Sequence, residues 1–321
     1  MKKLIVLLLA FAMVGAVSAQ VTTAVALSGG ITLVNDAGQS AFARDGSGYD
    51  TITFKGSEKD GKYGFSVGYK NVLNDAAANT FGGLNSWNAW YKGQYAKITL
   101  GNTSNGTFRA YLAKYWKTAF GRASYIAGTE SYGISAESTT LGDLIVGVYL
   151  PVPEAATNSV DMFKNMNFGV KYTMKDVGFA QAYVDLHTGD NKVSGGFTYT
   201  GVKNFTGYVA TELALDATKY SFGVAAKYTG IDKLALLAQA SDIINAGVNS
   251  FDVYAEAGYD VTDAIFASAW GKFKSTGSAF SAGAFVDYSF ANGLTLEANG
   301  SYDVAAAALA ADLTLYYGVS F

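Results

Sequence analysis

The chain contains no cysteine, which excludes disulfides, thiolate metal sites and thiol catalysis together. Proline is nearly as scarce: Pro151 and Pro153 sit in what reads as one connection, so neither interrupts a predicted strand. The single histidine, His187, falls between Asp185 and Asp190 with no nucleophile motif beside it, so it reads as a solvated loop histidine. Asp185, His187 and Asp190 are a poor metal signal without a further cluster of ligands. No glycine-rich phosphate loop follows a strand and opens a helix, which leaves the 37 glycines to turns and crowded strand faces. No enzymatic activity, cofactor or metal site is expected.

Long apolar runs are also missing. A spanning helix needs about 20 apolar residues, and the one candidate, Leu4 to Val14, is shorter. It follows Lys2 and Lys3 and precedes Val17-Ser18-Ala19, small residues of the kind cut by a signal peptidase. Residues 1–19 therefore read as a secretory signal peptide, and residues 20–321 as a single domain beginning near Gln20. Removing Lys2 and Lys3 from the 23 basic residues leaves 21 against 26 acidic ones, a formal charge of −5. Such a balance excludes nucleic acid as a partner.

Half of the residues are nevertheless hydrophobic and 14% are aromatic, so the hydrophobicity must be distributed in alternation. The alternation is plain in several places. Tyr63, Phe65, Val67 and Tyr69 alternate with Gly64, Ser66, Gly68 and Lys70, and Phe168, Val170 and Tyr172 with Asn167, Gly169, Lys171 and Thr173. Tyr220, Phe222, Val224, Ala226 and Tyr228 alternate with Ser221, Gly223, Ala225 and Lys227. Further on, Phe251, Val253, Ala255, Ala257 and Tyr259 face away from Asp252 and Glu256, and Phe280, Ala282, Ala284, Val286, Tyr288 and Phe290 from Ser281, Gly283 and Asp287. A two-residue period with one apolar face is that of a strand between lipid and water, and aromatics at the strand ends suit the membrane interfaces.

Short polar turns punctuate the series near Lys59, Gly93, Thr140, Asp176, Gly201, Gly230, Val261 and Asn292. Asn292-Gly293 reads as a two-residue hairpin turn, because both positions tolerate positive φ. Between successive short turns there is room for two strands of roughly 10 residues and a longer connection. The expected fold is all-β: a transmembrane, antiparallel, up-and-down β-barrel. Eight turns imply 18 strands, with 16 as the alternative, because Val21 to Leu33 is weakly patterned and the Ala-rich stretch Val304 to Ala311 blurs a boundary.

One connection breaks the rhythm. In residues 101–129, Phe108, Tyr111, Leu112 and Tyr115 fall at i, i+3, i+4 and i+7, one face of a short helix, and Arg109, Lys114 and Lys117 fall off that stripe. Residues 102–129 carry Arg109, Lys114, Lys117 and Arg122 and no Asp or Glu.

The chain ends with Leu313, Leu315, Tyr317, Val319 and Phe321 on one face, which resembles the terminal strand of bacterial outer-membrane barrels. Lys97-Ile98-Thr99-Leu100-Gly101, then the long connection, then YGISAES at Tyr132 to Ser138, resembles the general bacterial porins, whose third loop begins at this point. The resemblance implies a third loop folded inward as a constriction, a homotrimer in the outer membrane in contact with lipid and lipopolysaccharide, and passive diffusion of small hydrophilic solutes and ions. Tyr317, Val319 and Phe321 would be the signal read by the barrel-assembly machinery.

The chain also departs from that family. Asn102 stands where Arg is common, and the acidic loop segment is missing. Arg109, Lys114, Lys117 and Arg122 would line the constriction, facing a lumen wall that carries Lys70, Lys97, Lys171, Lys227, Asp252, Glu256, Asp287, Glu297 and Asp312. This basic loop against an acidic wall predicts a weak preference for anions. The rival reading is a non-conducting surface barrel acting as an adhesin or structural protein, whose outer loops should be long and rich in aromatics. Short connections such as Asp185 to Asp190 and Leu215 to Ala217 weigh against it.

Overall fold

Alternating sequence with almost no proline leaves nearly every backbone N–H able to join a ladder, and strands form wherever the alternation runs. The computed structural model describes residues 21–34, 43–44, 51–58, 60–70, 84–103, 131–151, 164–186, 191–291 and 293–320. The first strands are β1 (Val21–Val34), β2 (Ala43–Arg44), β3 (Thr51–Glu58), β4 (Tyr63–Lys70), β5 (Leu84–Lys92) and β6 (Ala96–Thr103). They are followed by β7 (Ser131–Ser138), β8 (Leu144–Pro151), β9 (Asn167–Met174), β10 (Gly178–Asp185), β11 (Lys192–Tyr199) and β12 (Phe205–Ala214). The last are β13 (Lys219–Ile231), β14 (Leu234–Asn245), β15 (Val248–Thr262), β16 (Ile265–Lys274), β17 (Ala279–Ser289), β18 (Leu294–Asp303) and β19 (Ala308–Ser320).

All belong to one 19-stranded antiparallel sheet in which β1 pairs with both β3 and β19. The two-residue β2 pairs only with Ile31 and Thr32 of β1, extending the line of β3. Leaving it aside, the circle has the 18 members that the turn rhythm implies, not 16. Closure gives every strand a neighbour on each side, the condition for placing backbone amides in hydrocarbon, where each unpaired group costs several kcal/mol.

The register fixes two faces. From β12 to β17, Val209, Val224, Ala240, Val253, Phe273 and Phe280 stand in one outward row. The inward row beside it runs Ala225, Gln239, Tyr254, Lys272, Ser281, Asp303 from β13 to β18. Exposure follows the register: Phe222 is 50% and Val224 39% exposed, whereas Ser221 and Ala225 are each 7% exposed.

Four details differ from the reading of the sequence. The turns expected near Gly230 and Val261 come later, because β13 continues to Ile231 and β15 to Thr262. Gly230 is inside a strand and leaves space for the Tyr228 ring, since a Cβ at 230 would lie 2.2 Å from Tyr228 Oη. After β15 the chain reverses on Thr262, whose Oγ1 accepts from the N–H groups of Ala264 and Ile265 at 3.2 and 3.1 Å. Pro151 is the last residue of β8, where no further ladder N–H is required of it. At the β17–β18 hairpin the Phe290 N–H donates to Leu294 C=O at 2.8 Å, with Gly293 at φ 84, so the loop is longer than the two-residue Asn292-Gly293 turn.

The fourth difference concerns Phe65 and Val67, which stand on the outward register but are each only 4% exposed. The Phe65 ring folds across its ladder partner Gly56, where a Cβ would come within 2.4 Å of Phe65 Cε1. Val67 is flanked by Phe54 on one side and Trp87 on the other.

Connections at one end of the barrel are long early in the chain and shrink to Ala246–Gly247 between β14 and β15. At the other end all are short.

Candidate functional site: the inward face of the barrel

The ladder register gives the charged residues named for the lumen wall their cross-strand neighbours. Lys97 pairs with Glu137 across β6 and β7, and Lys171 with Gln181 across β9 and β10. Lys171 Nζ lies 4.3 Å from the centroid of the Phe179 ring, also inward, a cation–π contact within a polar wall. Lys227 pairs with Leu237, which pairs in turn with Glu256. Of Lys70 the ladder partner, Thr51, is defined.

The carboxylates gather on β15, β17, β18 and β19. Asp252 Oδ2 is 3.5 Å from Lys272 Nζ on β16, a cation absent from the expected set. Asp287 stands directly across from Glu297, and Glu297 from Thr314. Ser289 Oγ donates to Asp287 Oδ1 at 3.4 Å, and Asn299 Nδ2 donates to Asp312 Oδ1 at 3.3 Å. Glu256 receives the Tyr254 hydroxyl at Oε2, 2.9 Å away.

Sequence reasoning missed the inward aromatics. Tyr149, Tyr183, Tyr254, Trp270 and Phe285 are all buried and face inward, although aromatics were expected at the interfaces. The Tyr254 and Trp270 rings are 6.2 Å apart and nearly parallel, at 18°; Phe266 and Phe285 follow across β16 and β17 at 6.5 Å. The signal was available two residues away. Trp270 shares its parity with Ser268 and Lys272, and Tyr254 with Asp252 and Glu256, so each belongs to the polar face.

Several expected residues lie outside the described part: Arg109, Lys114, Lys117 and Arg122 of the long connection, His187, Asp190, Phe321 and residues 1–19. Of the assembly signal, Tyr317 pairs with Gly29 and Leu294, and Val319 with Leu27. Among the described residues, no three metal-ligating side chains come together.

A closed circle of 18 antiparallel strands, apolar outside and charged inside, has the fold of the outer-membrane porin barrels. Among solved structures, OccAB3 of Acinetobacter baumannii is similar, at 13% identity over 95% of this chain and 100% of that one, with a TM-score of 0.60. The outer-membrane protein OpdK of Pseudomonas aeruginosa matches at 11% identity over 94% and 99%, TM-score 0.59. A triple mutant of the Rh. blastica porin matches at 12% identity over 94% and 100%, TM-score 0.55. No family model and no curated protein matches the chain.

Proposed function

We propose that the chain is a channel of the bacterial outer membrane, through which small hydrophilic solutes and ions diffuse passively and without any reaction. One observation carries this reading: Lys97, Lys171, Lys227, Asp252, Glu256, Lys272, Asp287, Glu297 and Asp312 all take inward registers, while the outward register is mostly apolar. An inner wall so charged is stable against water and costly against anything apolar. The outward face would meet lipid and, at the rim, lipopolysaccharide.

The finer points belong to the same proposal. Arg109, Lys114, Lys117 and Arg122 would narrow the passage and favour anions weakly. Residues 1–19 would direct export, the barrel-assembly machinery would read Tyr317, Val319 and Phe321, and the barrel would assemble as a homotrimer. The test is the conductance of the purified protein in a planar bilayer under a salt gradient, where stepwise openings are expected. A protein that inserts without conducting would instead support a surface barrel with an adhesive or structural role. That second reading is favoured by the close burial of inward side chains such as Tyr183 and Phe285, each 2% exposed.

A further inference from the structure

On the inner wall of β14 to β16, a carboxylate oxygen lies beside two aromatic rings with nothing to bind it. Glu256 is 3% exposed; its Oε2 takes the Tyr254 hydroxyl, and its Oε1 has no hydrogen-bond partner. Lys272, the nearest inward cation by register, is engaged with Asp252. Lys227, two strands away, is coupled to Glu256 through its charge, and Oε1 still has no hydrogen-bond partner. A buried carboxylate oxygen left in that condition costs more than a neutral polar group would.

Its surroundings want donors too. Gln239, across from Tyr254, has an unpartnered Oε1 and is 5% exposed. Ser268, across from Gly258, has an unpartnered Oγ. The indole of Trp270, across from Glu256, lies against the wall over Gly283, where a Cβ would be 2.5 Å from Trp270 Cζ2. Tyr254 runs nearly parallel to it, so the two rings offer π-faces next to a negative oxygen.

We infer that Glu256, Tyr254, Trp270 and Gln239 form a lumenal subsite for organic cations, meaning solutes that carry an ammonium or guanidinium group on an apolar or aromatic body. The charged group would meet Glu256 Oε1 and donate to Gln239 Oε1, while the body lies along the Trp270 and Tyr254 rings. Carboxylate and ring faces both favour a cation, and both gain strength away from bulk water. An anion would meet the Glu256 charge, and a neutral ring would leave Oε1 unpaired. Net ion selectivity, set wherever the passage is narrowest, is a separate property, so a weakly anion-preferring channel can still hold an organic cation at this place.

The inference rests on the channel reading only for how the solute arrives. Its test uses the full-length protein in planar bilayers, with tyramine, 4-hydroxybenzyl alcohol and 4-hydroxyphenylacetate added to one side. These probes share one ring and differ in charge. Tyramine is expected to block the current at concentrations about tenfold lower than the other two, and Glu256→Gln to remove about that factor. Trp270→Phe, which keeps an apolar ring, should weaken the block less than Glu256→Gln. Equal block by all three probes, or an undiminished tyramine block in Glu256→Gln, would overturn the subsite and leave Oε1 to water. If the wild type carries no current, the channel reading fails by itself. Titration calorimetry of tyramine on the detergent-solubilised protein then decides the subsite, through loss of binding in Glu256→Gln and, should that variant not fold, through weaker binding in Trp270→Phe, with unchanged binding overturning it.

Discussion

Asp242 stands directly across the sheet from Phe251, with Phe222 opposite it on the other side, so a carboxylate sits on the outward face between two aromatic residues. Its Oδ1 is buried and has no hydrogen-bond partner. The position is close to the Ala246–Gly247 turn, at the rim, where a charge on the lipid face costs about 0–1 kcal/mol. Asp242→Leu is therefore expected to raise the urea midpoint for unfolding from lipid vesicles slightly. A loss of more than about 1 kcal/mol would show that Asp242 meets a partner group in the assembled membrane protein.

The register makes a stronger demand in mid-wall. Val224→Arg or Val253→Arg should each cost about 2–4 kcal/mol if the residue lies near the bilayer midplane. An inward control must avoid Ser221 and Gly223, which are buried. Ser281 is the better site, because its Oγ already reaches Asp303 Oδ2 at 3.4 Å and an arginine there would gain a carboxylate partner. Ser281→Arg should be tolerated. Equal losses on both faces, by the same vesicle unfolding assay, would show the register to be wrong.

The two faces were legible because period-two alternation needs only one residue type per face. Tyr220 to Tyr228 and Phe280 to Tyr288 repeat the rule, apart from the small Ala225 and the inward Phe285. Where two causes compete for one residue type, alternation alone was not enough. Trp270 and Tyr254 carry the aromatic character of an interface but sit on the polar face, because Gly283 leaves room for the indole and Glu256 supplies a partner for the phenol. Gly230 misled in the same way: it reads as a turn residue but serves a ring inside a strand. The Asp252–Lys272 pair joins two strands whose register the sequence does not state.

Assembly gives the third prediction. Tyr317 and Val319 belong to the strand that closes the circle against β1, and Phe321 follows them at the end of the chain. Phe321→Asp should leave export intact and reduce the heat-modifiable, membrane-embedded fraction. Normal levels of that fraction in the variant would remove Phe321 from any recognition role.

The fourth concerns the long connection between β6 and β7. A charge held at a constriction acts on every passing ion, whereas one at a wide mouth is screened beyond roughly 8 Å at physiological salt. Neutralising Arg109, Lys114, Lys117 and Arg122 together should shift the reversal potential towards cations. Unchanged selectivity and conductance would place these four side chains away from the narrowest point.

The seam between β1 and β19 makes the barrel a ring without a privileged starting strand. Strand order around the circle is the order along the chain, and Ala26 lies opposite Ser320. From that pair, the first residue of β1 is only about 17 Å away at the usual rise of a strand. A short linker could join Ser320 to Val21 on the side of the short turns, and new ends could be opened elsewhere, for example at Gly142 between β7 and β8, where even an added Cβ would meet nothing within 4 Å. The rearranged chain would have to close the same circle, and no other strand pairing would change.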